Sequence, residues 1–250
     1  ANDPAELIVV DGDSTDRTVE IAREYAHLVC SDEGRGKSYA RQLGAEQASQ
    51  EYVAYVDADV TMFEGALLTM LTELQESNCA SLHATLAPDM ECSTYWQWAQ
   101  HQQYLLASRR EIIGMLCCIM KRDLILQFGF DPSAGGLDDT VLELKMRHAG
   151  LRFGASSALV HHAWPADMVS LVKYRVFLGR LTPRAMRKYG IWHPGFWPPL
   201  STAYWLAVSV IKGKPGLIPY LLVEGAAKTA GMMLGFYQML KEEFTGRVSR

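Results

Sequence analysis

Two aspartates flanking one alanine, Asp57-Ala58-Asp59, close the apolar run Tyr52-Val53-Ala54-Tyr55-Val56. A short apolar run of this kind reads as a strand buried on both faces of a parallel sheet. Side chains two apart in a strand face the same way, so both carboxylates are expected on one side of its end. Open α/β sheets take ligands outside the carboxyl ends of their strands. Two carboxylates held together repel unless a cation lies between them. A hard divalent ion, itself bridging phosphates, meets that requirement; for the motif taken alone, the alternative is a pair of solvated loop carboxylates.

Other acidic sites join this one. Leu7-Ile8-Val9-Val10 is a second short apolar run, ending in Asp11-Gly12-Asp13-Ser14-Thr15-Asp16. Gly permits a sharp turn there, and Ser14, Thr15 or Asp16 can cap a following helix. A further pair lies in Gly135-Gly136-Leu137-Asp138-Asp139-Thr140, ahead of a stretch with helical spacing through Val141, Leu144 and Met146. Asp138 and Asp139 are thus expected at a helix N-terminus, where unpaired N–H groups favour negative charge. They read either as an acidic cap or as the base that transfer from a charged nucleotide would need. Lys37 and Arg41 could steady phosphates or be solvated helix-face cations. His161-His162 follows the apolar run Ala158-Leu159-Val160, and His162 is a candidate metal ligand or a structural imidazole.

The elements that must position these groups alternate along the first part of the chain. A helix from about Thr15 to His27 precedes a short strand at Leu28-Val29-Cys30. The loop Asp32 to Gly36 leads to a helix carrying Ala40, Leu43, Gly44 and Ala48. After the Asp57-Ala58-Asp59 strand comes a helix with Leu67, Leu68, Leu71 and Leu74 on one side. Two more strands, Ala80 to Leu86 and Met115 to Met120, bracket an aromatic-rich helix from Thr94 to Arg109. This order predicts a mostly parallel sheet flanked by helices. Across 250 residues the composition, 49% hydrophobic and 21% charged, is that of a globular chain rather than a disordered one. A net charge of −4 argues against nucleic acid as a partner. Five irregularly spaced cysteines suit neither zinc nor a disulfide framework and fit reduced, buried thiols in a cytosolic setting.

Composition changes near Ala166, which divides the chain into residues 1–165 and a helical region, 166–250. Lys173 to Lys188 holds six basic residues and no acidic one. Aromatic and apolar stretches follow around Tyr204 to Ile211 and Leu217 to Leu240. Neither is a clean transmembrane span, and Glu224 and Lys228, four apart, can pair on one helical face. Basic residues beside Trp and Tyr are what an anionic membrane surface attracts. The expected extension is therefore helical and membrane-associated, with a packed helical subdomain as the alternative.

Taken together, the motifs resemble those of the inverting family 2 glycosyltransferases, which have the GT-A fold. Val9 to Thr18 is similar to their Val-Asp-Asp-Gly-Ser-Thr-Asp-Gly-Thr stretch. Gly36 to Gly44 resembles the helix leading to their Asp-x-Asp strand, with its Ala-Arg-Asn-x-Gly. Tyr52 to Asp59 is similar to that strand and its metal motif. Gly129-Phe130-Asp131, Asp138-Asp139, Arg147 and Gly150 follow their acceptor-side pattern, with Asp-Asp in place of Glu-Asp. The likeness runs in order from Ile8 to His162. The family's first strand and helix have no counterpart in the chain, Asp13 stands where a small residue is common, and the Gln-x-x-Arg-Trp motif of processive synthases is missing, which favours single additions.

The resemblance implies a nucleotide-sugar donor and Mg²⁺ or Mn²⁺. Asp11 would receive the nucleoside, Asp57 its ribose or a metal-bound water, Lys37 and Arg41 the phosphates, and Asp59 the metal, with His162 as a further ligand. Asp139 would be the general base, oriented or replaced by Asp138, acting on a glycan or lipid-linked acceptor at the cytoplasmic face of a membrane. Rival readings are a nucleotidyltransferase on a related nucleotide-binding fold and a non-catalytic membrane-binding module. A P-loop is disfavoured because Ser31 occupies the position of its first glycine.

Overall fold

The computed structural model describes residues 5–107, 111–189 and 197–245. The chain forms two compact units, Ala1–Ala87 with Ser108–His162, and Pro88–Ala107 with Ala163–Arg250. The second division falls three residues before the expected boundary at 165, and the aromatic helix belongs to the second unit by way of a detour.

In the first unit, β1 (Ile8–Asp11) and β2 (Leu28–Ser31) form a separate parallel pair, joined by α1 (Thr18–Tyr25). Next comes α2 (Lys37–Gln47), which packs on β1 where Gly44 leaves only 3.6 Å between a built Cβ and Val10 Cγ2. The larger sheet contains β3 (Tyr52–Val56), β4 (Val60–Met62), β5 (Ser81–Leu86), β6 (Cys117–Lys121) and β7 (Phe153–His162), in the order β3-β6-β5-β7-β4. Helix α3 (Ala66–Glu76) connects β4 to β5. After β6 come α5 (Arg122–Phe128), a 3-10 turn (Pro132–Leu137) and α6 (Asp138–His148).

The sheet is mixed, which corrects the expectation of a mostly parallel one. Among the described residues only β1–β2 and β5–β7 pair in parallel; β3–β6, β5–β6 and β4–β7 are antiparallel. The reason lies in the detour. After β5 the chain leaves for the second unit and returns to enter β6 from the same end, so no crossover helix carries it back to make a parallel pair. Strand β6 is buried from Cys117 to Met120 and packs with Ile125, Leu142, Met146 and Phe153 as the core. All five cysteines are free thiols, and burial raises Cys118 to about 12.

The second unit is helical: α4 (Tyr95–Ala107), α7 (Met168–Tyr189), α8 (Pro198–Ile211), a 3-10 turn (Pro215–Leu217) and α9 (Ile218–Thr245). Ala99, Leu171, Leu217, Tyr220 and Leu221 form its core. Helices α7 and α9 run side by side in close contact because glycines leave room. A Cβ built at Gly231 would collide with the Val176 carbonyl, and one at Gly179 with that of Lys228. Glu224 and Lys228 pair at 3.0 Å, as their spacing predicts. Arg175 Nε forms a second ion pair with the Glu224 carboxylate at 3.1 Å, and Gln103 Nε2 donates to it at 3.0 Å. Burial opposes the charge of Glu224, but Lys228 and Arg175 outweigh it and hold the carboxyl at about 2. The basic run is partly answered from α9, since Arg184 pairs with Glu242 and Arg187 with Glu243. Among the described residues, no helix is long and apolar enough to cross a membrane.

Candidate active site

The Asp57-Ala58-Asp59 segment is a turn rather than the end of an extended strand. The Asp57 N–H donates to the Leu116 carbonyl at 2.9 Å, and the Asp57 carbonyl accepts from the Val60 N–H at 3.0 Å. The chain thereby reverses into β4, which runs antiparallel to β7 with Val60 opposite His162. This register, not strand alternation, sets the two carboxylates. Asp57 turns to Arg41 and Asp59 to His162, so each has its own basic partner and they do not face one ion as an isolated pair.

Arg41 is the hub. Its guanidinium donates to Asp138 Oδ2 at 2.9 Å and to Asp57 Oδ1 at 3.0 Å, and it is only 7% exposed. Two features of α2 place it there. Ala40, Gly44 and Ala45 keep the helix slim where it packs, and the Tyr55 hydroxyl donates to the Arg41 carbonyl at 3.0 Å. One turn earlier on the same face, Lys37 Nζ lies 3.7 Å from Asp138 Oδ1 while remaining half-exposed. The double demand of Asp57 and Asp138 joins the turn after β3 to the first residue of α6.

Asp138 and Asp139 do begin a helix, yet they differ sharply. Asp138 is fully buried and engaged by Arg41 and Lys37. Asp139 is half-buried, and its Oδ1 accepts from the Thr140 N–H at 2.6 Å. Burial raises its pKa above that of an ordinary aspartate, and the neighbouring Asp138 charge adds to the rise. Thr140, Lys37 and Arg41 only partly offset this. A carboxylate with a raised pKa is a better proton acceptor than an ordinary one.

His162 Nε2 lies 3.3 Å from Asp59 Oδ1. Burial lowers the histidine pKa, against the opposing pull of Asp59 and then Asp57, so the ring favours its neutral, ligand-competent form. Its neighbour His161 packs edge-on against Phe63, with ring centroids 4.9 Å apart. An ion held mainly by a nucleotide's phosphates needs one or two protein carboxylates rather than a full protein cage. Asp59 and His162 supply one carboxylate and one imidazole side by side. Among the described residues, no group of three or more His, Cys, Asp or Glu side chains could hold an ion. The donor set therefore fits an ion shared with a phosphate ligand, and does not fit a self-sufficient protein site.

Asp11 sits on the smaller sheet, and its carboxylate accepts the Ser14 N–H at 3.0 Å rather than joining the Arg41 cluster. Hydrogen bonds from Ser14 lower its pKa. The structure thus gathers Lys37, Arg41, Asp57, Asp138 and Asp139 around α2, and Asp59 with His162 beside them. Asp11 is tied to them through the packing of α2 on β1 and through the loop that follows β2. Asp32, which no sequence motif above singles out as a site residue, is buried. Its N–H donates to the Asp11 carbonyl at 2.8 Å, and its carboxylate accepts from the N–H groups of Gly34 at 2.9 Å and Gly36 at 3.0 Å. Asp32 shapes the loop that delivers Lys37. The spacing Asp32-Glu33-Gly34-Arg35-Gly36, an Asx turn followed by glycines, is the signal that marks it.

Comparison with known proteins adds to this geometry. The family model described as "Glycosyl transferase family 2" matches residues 1–127. The chain is 35% identical over 181 residues to the putative teichuronic acid biosynthesis glycosyltransferase TuaG of Bacillus subtilis, a match covering 68% of this chain and 71% of TuaG. It is 43% identical over 77 residues to the uncharacterized glycosyltransferase YibD of Escherichia coli, spanning 27% of this chain and 22% of the length of YibD. Among solved structures, mannosyl-3-phosphoglycerate synthase from Rubrobacter xylanophilus is similar in fold, with a TM-score of 0.52 at 17% identity over 74% of this chain and 64% of that one.

Proposed function

Because the chain belongs to glycosyl transferase family 2, we propose that it moves a sugar from a nucleoside diphosphate donor to an acceptor hydroxyl in one inverting displacement. The observation that carries this reading is the Arg41 bridge, at 2.9 and 3.0 Å, between the Asp57 turn and the helix that begins with Asp138 and Asp139. It couples a donor side to an acceptor side. Asp11 and Asp57 receive the nucleoside, and Lys37, half-exposed, meets the phosphates. Arg41, whose guanidinium is engaged by two carboxylates, acts by positioning them. Asp59 and His162 would hold Mg²⁺ or Mn²⁺ together with the diphosphate, and the bound ion supplies positive charge to the leaving group.

Asp139 takes the proton from the acceptor hydroxyl as that oxygen attacks the anomeric carbon. The new C–O bond forms as the bond to the diphosphate oxygen breaks, and the electron pair leaves with the nucleoside diphosphate. Burial of Asp139 raises its proton affinity, which strengthens it as a base. Asp138, paired with Arg41 at 2.9 Å, keeps the first turn of α6 in place. The name of TuaG supports a glycan acceptor, and the basic, aromatic second unit supports a lipid-linked one at the cytoplasmic face of a membrane.

Isothermal titration of the chain with nucleoside diphosphates, with and without Mn²⁺, tests the donor side. Binding is expected to require the ion and to weaken roughly tenfold or more in Asp59→Asn. Binding indifferent to Mn²⁺, or turnover that releases inorganic pyrophosphate, would refute the proposal.

A further inference from the structure

The net charge of −4 conceals a strong asymmetry. Residues 1–162 carry 12 Lys and Arg against 24 Asp and Glu, whereas residues 163–250 carry 12 against 4. The basic half also exposes much of the large apolar surface. On α9, Met233, Tyr237, Leu240 and Phe244 recur at alternating steps of four and three, which aligns them on one helix face. All four are exposed, Tyr237 by 64% and Phe244 by 89%. On the neighbouring α7, Phe177 is 54% exposed. The two helices enclose an open hollow of about 700 Å³ with Phe177, Leu181, Leu234 and Tyr237 on its walls and Arg180, Arg184 and Lys241 among its charged groups. Among the described residues that line it, Glu242 is the one acidic side chain, so they carry a positive surplus.

Such a face must find a partner that is apolar and anionic together. A second copy docked through the same face would bring the same positive surplus to the contact and repel it. A small soluble anion would leave the aromatic stripe wet. An anionic bilayer answers both demands, since the apolar side chains enter the acyl boundary while the long basic stems reach the phosphates. No described helix can cross a membrane, so contact is made in the plane of the surface. We infer that the α7–α9 face of the second unit is a docking surface for an anionic phospholipid bilayer. This rests on the membrane part of the proposed function and names the surface that performs it.

The test is flotation of the full chain with vesicles of phosphatidylcholine alone, or of phosphatidylcholine and phosphatidylglycerol in equal parts, at low and high salt. The wild type is expected to float with anionic vesicles at low salt and to stay behind with neutral ones. The double variant Tyr237→Ser, Phe244→Ser should lose about tenfold or more of its partitioning, with unchanged circular dichroism and nucleoside diphosphate binding. The single variant Lys241→Glu should bind only at a lower salt concentration than the wild type. A wild type that ignores anionic vesicles overturns the membrane reading itself. Undiminished flotation of the double variant overturns this face while leaving that reading intact. Light scattering that finds a dimer, made monomeric by the same double variant, overturns the assignment in favour of self-association.

Discussion

Replacing Arg41 by methionine keeps the length of the side chain and removes its charge and its two charged hydrogen bonds. The cost follows from what is left behind. Asp57 is 35% exposed on its side chain and recovers water, so its share is small. Asp138 has no exposure and keeps only Lys37, whose Nζ is 3.7 Å away. Stripping one partner from a buried pair typically costs 3–5 kcal/mol, and the remaining lysine argues for the low end, about 3 kcal/mol. Tryptophans 96, 98, 164, 197 and 205 fall in the second unit, so their fluorescence follows that unit. Urea unfolding followed by far-ultraviolet circular dichroism, together with hydrogen exchange of peptides from Lys37–Gln47, is the suitable assay, and tryptophan fluorescence is its internal control. Asp138→Asn in the Arg41→Met background should recover part of the loss, with a coupling of about 1–3 kcal/mol. A cost below about 1 kcal/mol for Arg41→Met, or additivity of the two substitutions within about 0.5 kcal/mol, would show that the bridge does not hold the turn to the helix.

Asp139→Asn should lower kcat by about 10²–10⁴ while leaving the donor Kd unchanged, measured by release of nucleoside diphosphate. Because burial raises the Asp139 pKa, the acid limb of the wild-type rate profile should lie above that of an ordinary aspartate. Arg41→Met, by removing a nearby positive charge, should move the limb higher still; a limb that stays put contradicts the assignment. In the second unit, the Glu224 carboxyl is held at about 2 against an ordinary 4.5, so its ionisation stabilises the fold by about 3 kcal/mol. The folded value lies below the unfolded one, so that contribution is complete above about pH 4.5 and is lost as pH falls toward 2. The stability gap between wild type and Glu224→Gln, followed by tryptophan fluorescence, should therefore close on acidification. A gap independent of pH would rule the linkage out.

What the chain disclosed in advance, and what it withheld, divides by sequence distance. A continuous apolar run located β3, and helical patterns located α2, α3 and α6 within a few residues, because each is written in consecutive side chains. The placing of Asp138 and Asp139 at a helix start came from the same local grammar. The reversal at Asp57 did not, since an apolar run ending in aspartate looks the same whether it continues or turns. Nor did the partner of Arg41, which lies 97 residues away on another helix. The antiparallel entry of β6 depends on where the chain travels between Ala87 and Ser108, and nothing in the strand itself encodes a direction. The basic run of α7 read as one uninterrupted positive surface because Glu242 and Glu243, which answer Arg184 and Arg187, come more than fifty residues later.

The detour through α4 has an engineering consequence. Cutting the chain after His162 would not isolate the α/β half, because Trp96, Trp98 and Ala99 would keep their apolar faces and lose Leu171, Leu217 and Tyr220. A clean excision takes Pro88–Ala107 as well. Strands β5 and β6 already lie side by side, with His83 opposite Cys118, so a short turn spliced between them would make an ordinary hairpin. The helical half is thus topologically a graft at two places, one inside that hairpin and one at the chain's end.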